Sequence, residues 1–91
     1  MIVQQTNTFK RQVKRLHKAE KLALDKSIRQ IMEDPSVGDT KVGDLAGIQV
    51  FKYKIKGNQY LLAYEYAEDL LMLTLMSHGT HENFYRDIKR N

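Results

Sequence analysis

Residues 48–66 read IQVFKYKIKGNQYLLAYEY, and this stretch decides the fold. Its first half, residues 48–56, alternates apolar and polar side chains, which is typical of a strand with one buried face. Gly57 and Asn58 follow as a two-residue turn signal. Residues 59–66 are rich in Tyr and Leu and continue the strand pattern. Because two strand patterns flank a short turn, the stretch predicts a β-hairpin.

The alternation also predicts what each face of the first hairpin strand carries. One face holds the apolar set, Phe51, Tyr53 and Ile55, and the other holds Lys52, Lys54 and Lys56. Glu65 of the second strand is expected near these lysines. Like charges in a row repel one another, so the row favours an anionic or acidic partner on that face. Alternatively, the lysines only keep an exposed strand soluble and protect its edge.

The segments on either side of the hairpin complete a sheet. Residues 70–76, LLMLTLM, form an almost wholly apolar run, which predicts a central strand covered on both faces. Residues 1–4 are expected to add a short leading strand that pairs with a later one. Residues 36–47 contain three Gly and are interpreted as a loop.

Helices are predicted around this sheet. Apolar residues recur at helical spacing in two segments, first at Phe9, Val13 and Leu16 and then at Leu24, Ile28, Ile31 and Met32. The two helices are expected to break near residues 17–19, and Asp34 with Pro35 closes the second. Thr80 offers an N-cap to a C-terminal helix.

Together these elements predict an α+β fold in which two N-terminal helices pack on one face of a small antiparallel sheet, with a C-terminal helix. A chain of 91 residues suits one domain, residues 1–91, and is too short for a two-domain enzyme with an enclosed active site. Any chemistry is therefore expected on an open surface.

Composition excludes several classes of functional site and indicates the kind of partner. The chain has no Cys, which excludes disulfides, thiol nucleophiles, zinc ribbons and iron–sulfur clusters. The N-terminus has no apolar signal region and no run approaches the roughly 18 apolar residues of a membrane span, so we expect a cytoplasmic protein without a membrane partner. The 15 Lys and Arg against 11 Asp and Glu give a net charge of +4, which favours RNA, DNA or an acidic protein as partner.

The positive charge is concentrated in the first third of the chain. Eight cations lie there: Lys10, Arg11, Lys14, Arg15, Lys18, Lys21, Lys26 and Arg29. They can attract an anionic partner electrostatically. Alternatively, they form only the solvated face of two helices.

Residues 77–90, SHGTHENFYRDIKR, contain the groups best suited to chemistry. These are His78, His81, Tyr85, Arg86, Lys89 and Arg90. A His can move protons near neutral pH, a Tyr can donate or accept a hydrogen bond, and the cations can hold a phosphate. With Lys52 and Lys54, this set suffices for metal-free phosphodiester cleavage by attack of a ribose 2′-hydroxyl on the adjacent phosphate.

Two other interpretations of this C-terminal segment remain open. One helix face, formed by His81, Phe84, Tyr85 and Ile88, can simply pack on the sheet. His78 and His81 can also provide two metal ligands, but no third ligand is evident. We therefore expect neither a metal nor a cofactor.

Three longer segments occur in a characteristic order: IRQIMEDPSVGD at residues 28–39, GDLAGIQVFKYKIKGNQYLLAYEY at residues 43–66, and MSHGTHENFYRDIKR at residues 76–90. In order and spacing they resemble the toxins of the RelE/ParE superfamily, the toxic half of bacterial type II toxin-antitoxin pairs. The resemblance covers nearly the whole chain. It implies a RelE-like fold whose basic sheet face grips messenger RNA in the ribosomal A site and cleaves it.

The resemblance also implies roles for individual residues. Lys52 and Lys54 match the strand lysine pair of RelE-like toxins, His81 their C-terminal basic or His residue, and Tyr85 the aromatic residue beyond it. These four are the candidate catalytic residues. Further RNA contacts are expected from Lys56, Arg86, Lys89 and Arg90. The strand Arg that often follows the hairpin in RelE toxins is Leu61 here.

The implied partners are the ribosome, mRNA and a RelB-like antitoxin with an acidic toxin-binding segment. Antitoxin contacts are expected at Lys10, Lys14, Lys18 and Lys21. Two alternatives stand beside the ribosome-dependent endoribonuclease. One is a ParE-like inhibitor of DNA gyrase that cleaves nothing, and the other is a non-catalytic antitoxin-binding module. The His81 and Tyr85 pair favours the ribonuclease, since ParE-like toxins usually lack it.

Overall fold

The computed structural model describes residues 1–81 and residue 84. Two helices, α1 (Asn7–Lys14) and α2 (Lys18–Glu33), cover one face of a five-stranded sheet. The strands are β1 (Ile2–Gln5), β2 (Asp39–Thr40), β3 (Gln49–Ile55), β4 (Asn58–Ala67) and β5 (Met72–Thr80), and they lie in the order β1-β5-β4-β3-β2. Short 3-10 turns occupy Pro35–Val37, Gly43–Leu45 and Glu68–Leu70. The predicted α+β fold is confirmed.

The sheet is antiparallel except at one edge. β1 pairs with β5 in parallel, with Ile2 opposite Met72 and Gln5 opposite Leu75. The other three strand pairs are antiparallel. The predicted leading strand is therefore confirmed, and the sheet is mostly antiparallel, as predicted, with this one parallel pair at its edge. Parallel pairing needs a long crossover, and the helices and hairpin that follow β1 provide it.

The β3–β4 hairpin is confirmed, but its turn lies one residue earlier than predicted. Ile55 pairs with Asn58, so the two loop residues are Lys56 and Gly57. Both have positive φ, 50° and 86° respectively, as a tight hairpin turn of the type I′ kind requires. Lys56 consequently lies in the turn, and the row of lysines on β3 contains only Lys52 and Lys54.

Both N-terminal helices begin and end at recognisable signals. Thr6 caps α1, since its Oγ1 accepts a hydrogen bond from the Phe9 N–H at 3.1 Å. At the start of α2 the Glu20 carboxylate accepts the His17 N–H at 3.0 Å. α2 ends before Asp34 and Pro35, as predicted. Within the part of the chain that the structure describes, no helix is both long and apolar enough to cross a membrane.

The strand predicted over residues 70–76 begins two residues later than predicted, and it contains a bulge. Leu70 closes a 3-10 turn and Leu71 has a φ of 49°, so both are exposed and β5 begins at Met72. β5 then lies between β1 and β4, as an internal strand should. Tyr64 pairs with Leu75 but Ala63 pairs with Ser77, which makes Met76 the extra residue of a β-bulge.

Apolar side chains pack on both faces of the sheet. The cluster beneath the helices contains Phe9, Leu24, Ile31, Leu62, Tyr64, Leu73 and Leu75, with Phe51 and Tyr53 packed against it. The cluster on the opposite face contains Val50, Leu61, Ala63 and Phe84. Phe51 and Tyr53 therefore face the helices, as predicted. The face that carries the lysines is partly covered, because Phe84 is fully buried against it.

The predicted C-terminal helix falls mainly outside the described residues. Thr80 ends β5, and the described residues beyond it, His81 and Phe84, are both helical. Ile88, predicted on the same helix face, is not among the residues that the structure describes.

Candidate functional site

Lys52 and Lys54 lie on β3 with their side chains exposed. Their partners across the hairpin are Leu61 and Gln59, and Leu61 belongs to the cluster on the face away from the helices. The two lysines therefore project from that same face, since paired residues share a side of the sheet.

The carboxylate beside Lys52 comes from β2. Asp39 Oδ2 lies 3.7 Å from Lys52 Nζ, and both side chains are substantially exposed. The neighbour expected from the sequence, Glu65, lies four residues along β4 from Leu61, the partner of Lys52. No ion pair joins Lys54 to a carboxylate within residues 1–81 and 84. Lys54 is thus the freer of the two charges.

Tyr64 anchors the segment that presents Asp39. Its hydroxyl donates to the Pro35 carbonyl at 2.6 Å and accepts the Gly38 N–H at 2.9 Å. A Cβ on Gly38 would lie 2.6 Å from the Tyr64 hydroxyl oxygen, which only a glycine avoids. The close approach holds β2 at the sheet edge beside β3 and so positions the Asp39 carboxylate.

His81 is exposed immediately after the last residue of β5. It lines an open depression of about 340 Å³ together with Asn58, Gln59, Tyr60 and Thr80. Tyr60 pairs with Thr80, and Gln59, the next residue on β4, pairs with Lys54. Gln59, the cross-strand partner of Lys54, therefore lines the same depression as His81.

His78 occupies a different environment from His81. It pairs with Leu62 and is only 2% exposed, on the side of the sheet that the helices cover. Its Nε2 is hydrogen-bonded to the Tyr53 hydroxyl. Its ring is parallel to that of Tyr60 within 5°, with ring centroids 5.4 Å apart. Burial lowers the pKa of His78 to about 4, and burial raises the pKa of Tyr53. His78 is therefore neutral at physiological pH.

The rings of Tyr53, Tyr60 and His78 form a ring cluster that is hydrogen-bonded to both helices. Tyr60 donates a hydrogen bond to Glu20 of α2 at 2.9 Å. The pKa of Glu20 is lowered, first by the hydrogen bond from the His17 backbone and then by that from Tyr60. Gln12 of α1 accepts the His78 N–H at 2.7 Å, so a helix side chain satisfies a backbone group next to the β-bulge. These contacts fix the sheet end from which His81 projects.

The two histidines consequently cannot act as a pair. His78 packs on the helix side of the sheet, whereas His81 is exposed at the end of β5. Among residues 1–81 and 84, no three His, Asp or Glu side chains gather as metal ligands would. Of the two, only His81 is exposed to a molecule that binds in the open depression at the end of β5.

The sequence matches the family of ParE-like toxins of type II bacterial toxin-antitoxin systems over residues 3–89. The chain belongs to this family. No curated protein matches its sequence.

Solved structures of RelE and ParE toxins share the toxin's fold. In the intact RelBE toxin-antitoxin complex of E. coli, the matching chain is 16% identical, with a TM-score of 0.72 over 87% of this toxin and 94% of that chain. In the RelBE2 toxin-antitoxin complex of Mycobacterium tuberculosis, the matching chain is 21% identical, with a TM-score of 0.70 over 88% of this toxin and 96% of that chain. The YoeB/ParE toxin of Agrobacterium tumefaciens is 17% identical, with a TM-score of 0.71 over 89% of this toxin and 99% of that chain. The toxin therefore belongs to the ParE-like family by sequence and shares its fold with toxins of the RelE and YoeB/ParE kinds.

The remaining candidate residues of the toxin fall into two groups. The predicted antitoxin contacts Lys10, Lys14, Lys18 and Lys21 are all exposed, on α1 and α2. They occupy the helix layer, on the other side of the sheet from Lys52 and Lys54. The predicted site residues Tyr85, Arg86, Lys89 and Arg90 lie outside the described residues.

Sequence reasoning missed three neighbours of the candidate site, Asp39, Gln59 and Tyr60. A turn at Lys56 and Gly57, in place of Gly57 and Asn58, pairs Lys54 with Gln59 and Tyr53 with Tyr60. The correct turn position would therefore have identified Gln59 and Tyr60 from the sequence. Asp39 had no comparable signal, because a two-residue strand leaves no alternation to detect.

Proposed function

We propose that the toxin is a ribosome-dependent, metal-independent endoribonuclease that cleaves translated mRNA and arrests growth. The observation that carries the proposal is that Gln59, the cross-strand partner of Lys54, lines the same open depression as His81. It combines an exposed lysine with an exposed imidazole on an open surface. An open surface suits a substrate that a large particle such as the ribosome presents.

The proposed reaction is an internal attack within the RNA. The 2′-hydroxyl loses its proton to a base, its oxygen bonds to the adjacent phosphorus, and the bond from phosphorus to the 5′-oxygen breaks. The 5′-oxygen then takes up a proton. His81 performs one of these two proton transfers, and Lys52 with Lys54 stabilises the extra negative charge on the phosphate oxygens. The products are a cyclic phosphate and a 5′-hydroxyl.

The C-terminal residues complete the proposed site. Tyr85 is the fourth candidate catalytic residue, one residue after the buried Phe84. Additional contacts to the RNA backbone are proposed for Lys56, Arg86, Lys89 and Arg90. Lys56 supports this role by its exposure at the hairpin turn, next to the strand that carries Lys54.

We propose that an antitoxin of the RelB type neutralises the toxin, and that residues 1–91 act as one domain. The E. coli and M. tuberculosis structures with this fold are themselves toxin-antitoxin complexes. An acidic segment of the antitoxin would bind the helix layer at the lysines named above. Four exposed lysines on two adjacent helices offer an extended positive surface for a segment that folds on binding.

A second candidate function is inhibition of DNA gyrase without cleavage. The match to ParE-like toxins favours it. So does Leu61, which occupies the position of a RelE strand Arg and is fully buried against Phe84, where it offers no contact to a phosphate.

Primer extension on translated mRNA after induction of the toxin separates these functions. The endoribonuclease predicts new 5′ ends within coding regions that disappear in the His81→Ala toxin. If purified toxin inhibits DNA supercoiling by gyrase and no new 5′ ends appear, the ParE-like function is established instead. If neither activity is found while the antitoxin still binds, the chain is the non-catalytic binding module.

A further inference from the structure

A second depression lies around the end of the sheet from the first. It has a volume of about 230 Å³, and its wall includes Arg15 of α1's C-terminal end, Glu20 and Tyr60. Tyr60 and Thr80 line both depressions, and these two residues are paired between β4 and β5. A chain molecule that leaves the His81 depression therefore meets the second one directly. The two depressions adjoin at Tyr60 and Thr80 and form one path around the end of the sheet.

Tyr60 gives this path a flat apolar wall. Its ring is only partly buried, and its orientation is fixed at three points. The hydroxyl is bonded to Glu20, the ring lies parallel to His78, and the Tyr53 ring lies 6.0 Å away. A tyrosine ring held in one orientation is the kind of platform on which single-stranded RNA stacks a base, and such stacking is tolerant of base identity.

Glu20 adds selectivity to that platform. Each of its carboxylate oxygens already accepts one hydrogen bond, from the His17 N–H and from Tyr60. A carboxylate oxygen can accept two, so one position on each oxygen remains. The two existing bonds lower the pKa of Glu20, which keeps the group ionised. A fixed carboxylate favours a base that presents two adjacent N–H donors, and guanine does so with N1–H and N2–H.

Arg15 completes the set of contacts. It is exposed on the rim of the same depression, where its guanidinium can hold a phosphate oxygen pair. Gln12 is not available to the ligand, because its amide is engaged by the His78 N–H and by Ser77. The depression thus offers one stacking ring, one acceptor pair and one cation.

We infer that Tyr60, Glu20 and Arg15 form a nucleotide subsite that binds a guanine base next to the cleaved bond. This inference rests on the proposed endoribonuclease function, and it assigns that function a base preference. Guanine stacks on Tyr60 and donates to Glu20, while Arg15 contacts the flanking phosphate.

Titration of isotope-labelled toxin with 5′-GMP and with 5′-AMP, followed by NMR, tests the subsite without any cleavage. We expect GMP to shift the amide signals of Glu20, Tyr60 and Thr80, with at least about fivefold tighter binding than AMP. Glu20→Gln should abolish this preference, because an amide offers one acceptor where the carboxylate offers two. Glu33→Gln, the same change at an exposed position of α2, is the matched control and should leave the preference intact.

A Tyr60→Phe toxin is the control for unfolding, since it keeps the stacking ring and removes only the hydrogen bond to Glu20. It should still bind GMP. The subsite is wrong if GMP shifts no signal around the depression, or if the Glu20→Gln toxin prefers GMP as strongly as the wild type. Absence of mRNA cleavage with an intact GMP preference would instead refute the endoribonuclease and leave a guanine-binding site.

Discussion

His78 and His81 lie three residues apart and differ in almost every physical respect. His78 is enclosed by Tyr53 and Tyr60, and burial keeps its imidazole neutral. His81 is exposed beside an open depression. The difference arises because β5 ends at Thr80, so His78 belongs to the sheet and His81 lies beyond it. Proximity in sequence therefore says little about shared chemistry, and each histidine needs its own test.

The largest expected effect is on activity at His81. Replacing it by Ala should lower mRNA cleavage by about 10²- to 10⁴-fold, because that is what a general acid or base contributes. The free energy of unfolding should change by less than about 0.5 kcal/mol, since the side chain is exposed. Cleavage rates and urea unfolding of the same preparation measure both. A large loss of stability with an unchanged cleavage rate would place His81 in the core.

The opposite pattern is expected at His78. His78→Ala removes a buried ring and leaves the Tyr53 hydroxyl without its partner, which should lower the free energy of unfolding by about 3 kcal/mol. Urea unfolding at pH 7 measures the loss. Cleavage by the fraction that remains folded should fall far less than in the His81→Ala toxin, because His78 holds the Tyr60 ring and transfers no proton itself. A toxin with normal stability and greatly reduced cleavage would show that His78 takes part in the reaction.

The pH dependence of stability sharpens the same contrast. His78 has a pKa of about 4 in the folded toxin against an ordinary 6.5. Between these values the unfolded chain binds a proton that the folded toxin does not, so stability is complete above pH 6.5 and falls as the pH drops toward 4. The loss should reach at most about 3 kcal/mol.

Urea unfolding of wild-type and His78→Asn toxin across this pH range isolates the contribution of His78. The asparagine variant should be less stable at pH 7, and the difference between the two proteins should shrink below pH 6.5. The His81→Ala toxin serves as the control and should follow the wild-type curve. A difference that is constant with pH would mean that the His78 environment does not exclude its charged form.

The faces of the hairpin were predictable, but its partners were not. Moving the turn from Gly57 and Asn58 to Lys56 and Gly57 slides every pair by two residues, which keeps each side chain on its predicted face. It replaces Leu62 with Tyr60 as the partner of Tyr53. Alternation alone fixes the face of a residue, whereas its neighbour depends on a turn in which Lys56 adopts a positive φ, which is uncommon for Lys.

The ring cluster was beyond sequence reasoning for a different reason. The bulge at Met76 shifts β5 by one residue, so the alternation of residues 70–76 does not extend to His78. Gln12 also lies more than 60 residues from Ser77 and His78 in sequence, and only the packing of α1 on β5 brings it to them. The fold class depended on local patterns and was predictable, while the site's surroundings depend on a bulge and on long-range contacts.

The smallest expected effects concern the two lysines, which extend the comparison to the exposed site itself. Lys54→Ala should weaken binding of an uncleavable single-stranded RNA, and the slope of log affinity against log salt should fall by about 0.7, the value for one phosphate contact. Lys52→Ala should cost less, because Asp39 already shares the charge of Lys52. Fluorescence anisotropy at several salt concentrations measures both slopes.

Asp39→Asn provides the decisive counterpart, since it removes the competing carboxylate and leaves Lys52 in place. Binding of the same RNA should become tighter, and Lys52→Ala in that background should then cost as much as Lys54→Ala. The gain should shrink as salt rises, because the pair is exposed and salt screens such charges. Equal losses for both lysines in the wild-type background would show that Asp39 does not restrain Lys52. Losses that do not vary with salt would show that neither lysine contacts a phosphate.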